Sequence, residues 1–200
     1  MSLPDGLIEA HDGTRRCWWC GDDPLYVEYH DTEWGVAVSD DRRLFEKLSL
    51  EGFQAGLSWL TILRKRPAFR EAFADFHPER VAAFGDADVV RLLADARIVR
   101  NRAKIEATIH NARRYLDLVD SGETLAEVVW SHAPQDPPVP RTRAEVPAVT
   151  PESRALGREL KGRGWRFVGP TTAHAFMEAM GLVDDHLEGC VARGTGTTAP

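Results

Sequence analysis

The chain has 200 residues, 43% hydrophobic and 28% charged, with a formal net charge of −6 and three cysteines. That composition suits one soluble domain able to bury a core without disulfides, and it excludes collagen-like, low-complexity and disulfide-stapled chains. With no secretory leader and no apolar run long enough for a bilayer, a reduced cytoplasmic protein with no membrane association is expected.

The net charge hides a strong asymmetry. Residues 1–59 carry 5 basic and 12 acidic side chains, whereas residues 60–115 carry 12 basic and 7 acidic, a net of +5. A nucleic-acid backbone needs a local basic face rather than a basic protein. Solvated helix faces would give the same count, so charge alone does not assign a partner.

In chain order, residues 1–16 read as a mobile leader without periodicity. Next comes "CWWCGDDPLYVEYHDTEWG", residues 17–35, which holds three of the six tryptophans, two of the three tyrosines and two of the three cysteines. "DDRRLFEKLSLEGFQAG" predicts a helix capped by Ser39 or Asp40, with Leu44, Phe45, Leu48 and Phe53 facing the core. "LSWLTILRKR" continues as helix after Gly56, and Pro67 is expected to start another, "PAFREAFADF". "DADVVRLLADARI", "NRAKIEATIHNARRYLDLVDSG" and "TLAEVVWSHA" follow as helices. Residues 134–151 contain six of the twelve prolines and read as an extended loop. "TPESRALGRELKGRG" and "GPTTAHAFMEAMG" resume the helical pattern, and residues 191–200 read as a disordered tail. No run alternates well enough for a strand, so the expected fold is all-α, with residues 17–190 as its single domain.

Two constellations carry chemistry. His186 and Cys190 stand four positions apart near one end, a spacing that suits one face of a helical turn, and Cys17, Cys20 and His30 stand near the other. A tetrahedral metal drawing on both groups would tie the ends together, but spacing alone does not choose between Cys17 and Cys20. A Cys-x2-Cys thiol pair is the competing reading, although no βαβ pattern surrounds it. Second, "GWRFVGPTTAHAFMEAMG" has the layout of a helix–hairpin–helix. Gly169 would allow close approach to a phosphate, and the N–H groups of the next helix would point at it, with Lys161, Arg163 and Arg166 nearby. An enzyme that works on an extruded base needs flat walls, and Trp19, Tyr26, Tyr29, Trp34 and Trp59 could supply them.

These stretches, with "LFEKLSLEGFQAGLSWLTILRKR", "IVRNRAKIEATIHNA" and "VGPTTAHAFMEAMGLVDDHLEGC", together resemble the type I (Tag) family of bacterial 3-methyladenine DNA glycosylases, from about Cys17 to Cys190. The resemblance implies a helix–hairpin–helix glycosylase of two helical lobes. Its expected activity is hydrolysis of the N-glycosidic bond of 3-methyladenine in alkylated duplex DNA, leaving an abasic site. It also implies one structural zinc on Cys17, His30, His186 and Cys190, with Cys20 a bystander. The family's base-recognition glutamate falls on Glu51, which by residue chemistry alone reads as an ordinary helix glutamate. Trp59 falls on the stacking tryptophan, and Tyr29 and Tyr26 on the pocket tyrosines. Gly56 and Leu57 fall on the hairpin that fills the gap in the duplex. Val168, Gly169, Thr171 and Thr172 are the expected phosphate contacts, and a monomer is the expected state. One departure stands out: Asp184 occupies a position where the family more often has Asn, close to where many other helix–hairpin–helix glycosylases carry a catalytic Asp.

Overall fold

The computed structural model describes residues 3–195. Nine α-helices dominate the described residues: α1 (Pro24–Thr32), α2 (Asp41–Gln54), α3 (Trp59–Ala72), α4 (Pro78–Ala82), α5 (Asp86–Ala94), α6 (Arg102–Asp120), α7 (Leu125–Trp130), α8 (Pro151–Gly162) and α9 (Pro170–Ala179). Helices α4 and α5 pack on α6, α8 packs on α9, and α2 lies between these groups, touching α3, α6, α7 and α9.

The central helix α2 is buried on nearly every side, from Leu44 to Phe53, which is what a helix packed between these groups requires. Asp40 caps it, its carboxylate accepting from Arg43 N at 2.9 Å. Leu44, Phe45, Leu48 and Phe53 all lie in the core as expected. The C-terminus of α2 is closed by a distant side chain. Lys104 of α6 donates its ammonium protons to the carbonyls of Phe53 and Ala55, at 2.8 and 2.6 Å. Those carbonyls would otherwise lack partners at a helix end, where a cation also suits the dipole.

Several expectations are corrected. Pro67 does not start a helix but sits inside α3. The ring removes one backbone bond, yet Ile62, Leu63, Phe69 and Ala72, on both sides of it, are buried in one core. Packing therefore holds the helix continuous across the proline. The all-α fold carries one small addition, an antiparallel ribbon of β1 (Leu7–Glu9) and β2 (Arg15–Cys17). Residues 7–16 are thus an ordered part of the molecule, not a mobile leader. Leu7 is buried in a small core with Cys17, Leu187, Cys190 and Ala192. The assumed tail also starts too early. Val191 N donates to Arg15 O at 2.9 Å and Gly194 N to Asp184 Oδ2 at 3.0 Å. Residues 196–200 of that expected tail lie outside the described residues. The proline-rich loop is irregular as expected, and it is pinned to the chain ends: Arg143 N donates to Asp5 O and Glu188 N to Pro140 O.

Candidate functional site

The two chain ends meet at a buried quartet. The ligand atoms of Cys17, His30, His186 and Cys190 all lie within 4.8 Å of one another. Cys17 closes β2, His30 lies in the last turn of α1, and His186 and Cys190 lie on an irregular turn after α9, not on the helical turn their spacing suggested. Cys190 Sγ is 3.4 Å from His30 Nε2 and 3.5 Å from His186 Nδ1, and Cys17 Sγ is 3.7 Å from His186 Nδ1. A tetrahedral zinc with bonds of about 2.3 Å to sulfur and about 2.0–2.1 Å to nitrogen puts neighbouring S and N ligands about 3.5 Å apart, so the residues present fit the ion.

The outer contacts fit as well. His186 Nε2 lies 3.1 Å from the Trp34 carbonyl, which presents Nδ1 to the cluster. His30 Nδ1 lies 2.7 Å from Asp31 Oδ1, and Arg16 holds that carboxylate through two donors. Such partners fix a ligating imidazole's tautomer and orientation. The two ligand thiols titrate as opposites. Hydrogen bonding from Cys17, aided by the two histidines, holds Cys190 far below an ordinary thiol, and the same contact pushes Cys17 up. A divalent cation would balance two thiolates with two neutral imidazoles. Cys20 stays outside: its thiol donates to Cys17 O at 3.2 Å, and burial pushes its pKa up to about 11.

The aromatic side of the same segment forms a second feature. A cavity of about 220 Å³ is lined by Trp19, Tyr26, Tyr29, Trp34, Trp59 and Glu51, with Lys47, Gln54 and Glu178 completing its polar wall. All six pocket residues expected from the sequence thus come together. Trp19 and Trp34 serve both features. Trp19 meets His30 at 5.1 Å between ring centres, and Trp34 meets His186 edge-on at 4.5 Å. The crowding of residues 17–35 therefore has a structural reason, since one short segment supplies two of the four cluster residues and much of the cavity wall.

Polar groups in the cavity are few and buried. Glu51 is 4% exposed, and its Oε1 is 2.7 Å from Lys47 Nζ. Lys47 also donates to Tyr29 OH at 2.9 Å, so the phenol's own proton is left to point elsewhere. Burial, reinforced by Glu51, pushes Tyr29 well above an ordinary phenol, and burial pushes Tyr26 up to about 12. Burial also raises Glu178 well above the usual carboxyl range, with Asp185 and Glu51 adding to the shift. Lys47 was not singled out from the sequence. Its signal was a Lys–Glu pair four residues apart on a helix with no polar face.

Two turns present exposed apolar side chains. The α2–α3 turn carries Gly56, with φ +84°, and Leu57, which is 42% exposed for a large apolar side chain. The α8–α9 hairpin carries Phe167, also exposed, with Val168 buried beneath it. The positive φ values in this hairpin belong to Gly164, at +85°, and Phe167, at +56°, and not to Gly169, whose φ is −64°. A side chain at Gly169 would meet nothing, so that backbone is open to a ligand. The hairpin itself is tightly seated: a Cβ on Gly157 of α8 would stand 2.9 Å from Val168 O. Asn111 of α6 brackets it, donating to Arg166 O at 2.9 Å and accepting from Arg166 N at 2.8 Å. The first-turn N–H groups of Thr171 and Thr172 have no acceptor within α9.

A concavity of about 620 Å³ beside the hairpin is lined by Arg158, Lys161 and Arg166. Arg163, expected with them, is instead paired with Glu123 and Glu159. Much of the basic surplus of residues 60–115 is spent likewise, as in Arg64–Asp23, Arg66–Glu33, Arg70–Glu46 and Arg97–Glu71. Asp184 does not line the base-sized cavity. It accepts from His186 N at 3.1 Å and from Gly194 N, closing the turn that carries the metal ligands.

Residues 19–193 match the family model described as methyladenine glycosylase. The chain is 50% identical over 177 residues to DNA-3-methyladenine glycosylase 1 of Escherichia coli (strain K12), covering 88% of this chain and 95% of that protein. A crystal structure of 3-methyladenine DNA glycosylase I superimposes with a TM-score of 0.85 at 48% identity, covering 88% of this chain and 98% of that one. Another, of a single-residue variant of 3-methyladenine DNA glycosylase I in complex with 3-methyladenine, gives a TM-score of 0.85 at 36% identity, covering 91% and 99%. The chain belongs to the methyladenine glycosylase family.

Proposed function

We propose that the protein is a DNA base-excision glycosylase that releases 3-methyladenine from alkylated duplex DNA and leaves an abasic site, acting as a monomer. The observation that carries the reading is a buried glutamate, Glu51, lining a cavity walled by six aromatic side chains, Trp18 among them, with an exposed Leu57 on the turn between Gln54 and Trp59 of its wall.

A base inside a duplex is out of reach, so the lesion must leave the stack. Leu57 stands on the turn that fills the gap, and Gly56 lets that turn reverse. Val168, Gly169, Thr171 and Thr172 hold a backbone phosphate by N–H groups, with Arg158, Lys161 and Arg166 supplying charge. The extruded base lies against Trp59 and Tyr29, with Tyr26, Trp19 and Trp34 closing the cavity. Glu51 accepts a hydrogen bond from the N6 amino group of the base, and its carboxylate suits a cationic ring. Alkylation at N3 already places the positive charge on the purine. The base therefore departs neutral, no strong general acid is needed, and the sugar passes through an oxocarbenium-like state.

The ion of the Cys17–His30–His186–Cys190 cluster is zinc. Four protein ligands leave no open position, so its part is structural: it joins the chain ends behind the wall made by Trp19 and Trp34. Chromatography of bases released from methylated DNA tests the reading. Release of 3-methyladenine by the protein, and its loss in Glu51→Ala, is expected. Binding to abasic DNA without any base release would overturn it and leave a DNA-binding module.

A further inference from the structure

The chemistry above has no use for Lys47, yet Lys47 is the most tightly held polar group in the cavity. It is 6% exposed, one turn before Glu51 on α2. Its ammonium is 2.7 Å from Glu51 Oε1 and only 3.1 Å from the centre of the Trp59 ring. At that distance it lies in contact with the ring face, and no flat ring fits between them. The ammonium therefore holds both contacts that a bound base would take, the π face of Trp59 and the carboxylate of Glu51.

A place for it to go exists. Lys47 also lines a second cavity of about 40 Å³ on its other side, together with Glu33, Glu46, Arg66 and Arg70. The two carboxylates there are already engaged by Arg66 and Arg70. An ammonium turned that way would keep Glu33 and Glu46 as acidic neighbours but would also meet Arg43, Arg66 and Arg70, so the move costs it part of its pairing with Glu51.

We propose that Lys47 is a resident cation of the base slot, which an entering base displaces from Trp59 and Glu51 toward Glu33 and Glu46. The inference rests on the reading of the cavity as the base site. Its physical purpose is plain: between turnovers, Glu51 would otherwise be a buried carboxylate without a partner. The lysine pairs with that carboxylate and fills the slot, and every base must out-compete it.

Two measurements test this. The first is a crystal structure of the wild-type protein with 3-methyladenine bound. Lys47 Nζ is expected beyond the ~6 Å reach of cation–π contact with Trp59. The second is titration of 3-methyladenine against the wild type and Lys47→Met, which keeps the length and flexibility of the side chain without its charge. The variant is expected to bind about threefold to thirtyfold more tightly, since the contact released by the lysine no longer opposes binding. A base seated with Nζ still over Trp59, or equal or weaker binding by the variant, overturns the proposal. If neither protein binds 3-methyladenine, the reading of the cavity falls first and the inference with it.

Discussion

The Cys/His cluster and the aromatic cavity share Trp19 and Trp34, but they are built on opposite terms. In the cluster the ligands are braced from outside: His186 by a backbone carbonyl, His30 by Asp31, Asp31 by Arg16. In the cavity a buried ion pair borders open space, and the indole N–H of Trp59 is buried without an acceptor among the described residues. One region spends its polar groups on holding a shape, and the other keeps them available. The rigid one supports the wall of the adaptable one, which is the arrangement expected of a scaffold behind a binding site.

The largest effect should come from breaking the rigid side. Cys190→Ser removes a ligand and should release the zinc, lowering the thermal midpoint by about 10 °C or more if several kcal/mol of site energy are lost. Cys20→Ser should keep one zinc per chain and an unchanged midpoint, because the Cys20 thiol only donates to a carbonyl. Metal analysis with thermal unfolding reads both. Zinc loss from Cys20→Ser, with zinc retained in Cys17→Ser, would mean that the wrong cysteine has been placed on the metal.

The adaptable side should respond in affinity rather than in stability. Glu51→Gln keeps the shape but turns one acceptor oxygen into a donor, which meets the N–H edge of the base with a clash of donors. A hydrogen bond to a charged group is worth about 1.5–3 kcal/mol, so free 3-methyladenine should bind about ten- to a hundredfold more weakly. Abasic DNA, which presents no base, should bind as before. Parallel loss of both ligands would make Glu51 structural and would blur the contrast between the two regions.

How much of this was readable from the chain follows the range of each signal. The cap of α2, left between Ser39 and Asp40, the core face of that helix and a helix beginning just after Gly169 are set by neighbours within a few residues, and they were legible. The Cys/His quartet, whose halves are more than 150 residues apart, was legible only in part: spacing marked its two ends but left Cys17 and Cys20 open, and the family resemblance chose Cys17. The β ribbon was missed because strands of three residues are too short to alternate; Leu7 is held by Leu187 and Cys190 instead. Lys104 and Asn111, which brace the Leu57 turn and the hairpin from α6, act across 51 and 55 residues, and nothing local marks either one. Arg163 was misread because charge counts do not show that Glu123 and Glu159 neutralise it.

A smaller effect sharpens the boundary between base and backbone recognition. Because a side chain at Gly169 meets no protein atom, Gly169→Val should fold normally and yet stand where the phosphate sits. Binding should fall about tenfold, by the same factor for alkylated and undamaged duplexes, because phosphate contacts carry no sequence information. Fluorescence anisotropy on the two duplexes measures the ratio. A loss confined to alkylated DNA would move Gly169 from the phosphate site to the base cavity.

The smallest effect on chemistry should come from Asp184, the residue whose position invites a catalytic role. Its carboxylate accepts from two backbone donors at once, His186 N and Gly194 N, and Arg193 Nη1 lies 3.8 Å from Oδ1. Both oxygens are committed to the turn that delivers His186 and Cys190, on the rigid side of the shared wall. Asp184→Asn leaves one oxygen for two N–H donors, so one buried donor loses its partner at about 1–3 kcal/mol. For a chain of this length that is a drop of a few degrees in the thermal midpoint, at about 2–4 °C per kcal/mol. The single-turnover rate of 3-methyladenine release should stay within about twofold, since changing a group that never meets the reacting atoms leaves the barrier where it was. A rate loss of tenfold or more at an unchanged midpoint would put Asp184 at the sugar, and the division between a region that holds shape and one that does chemistry would fail there.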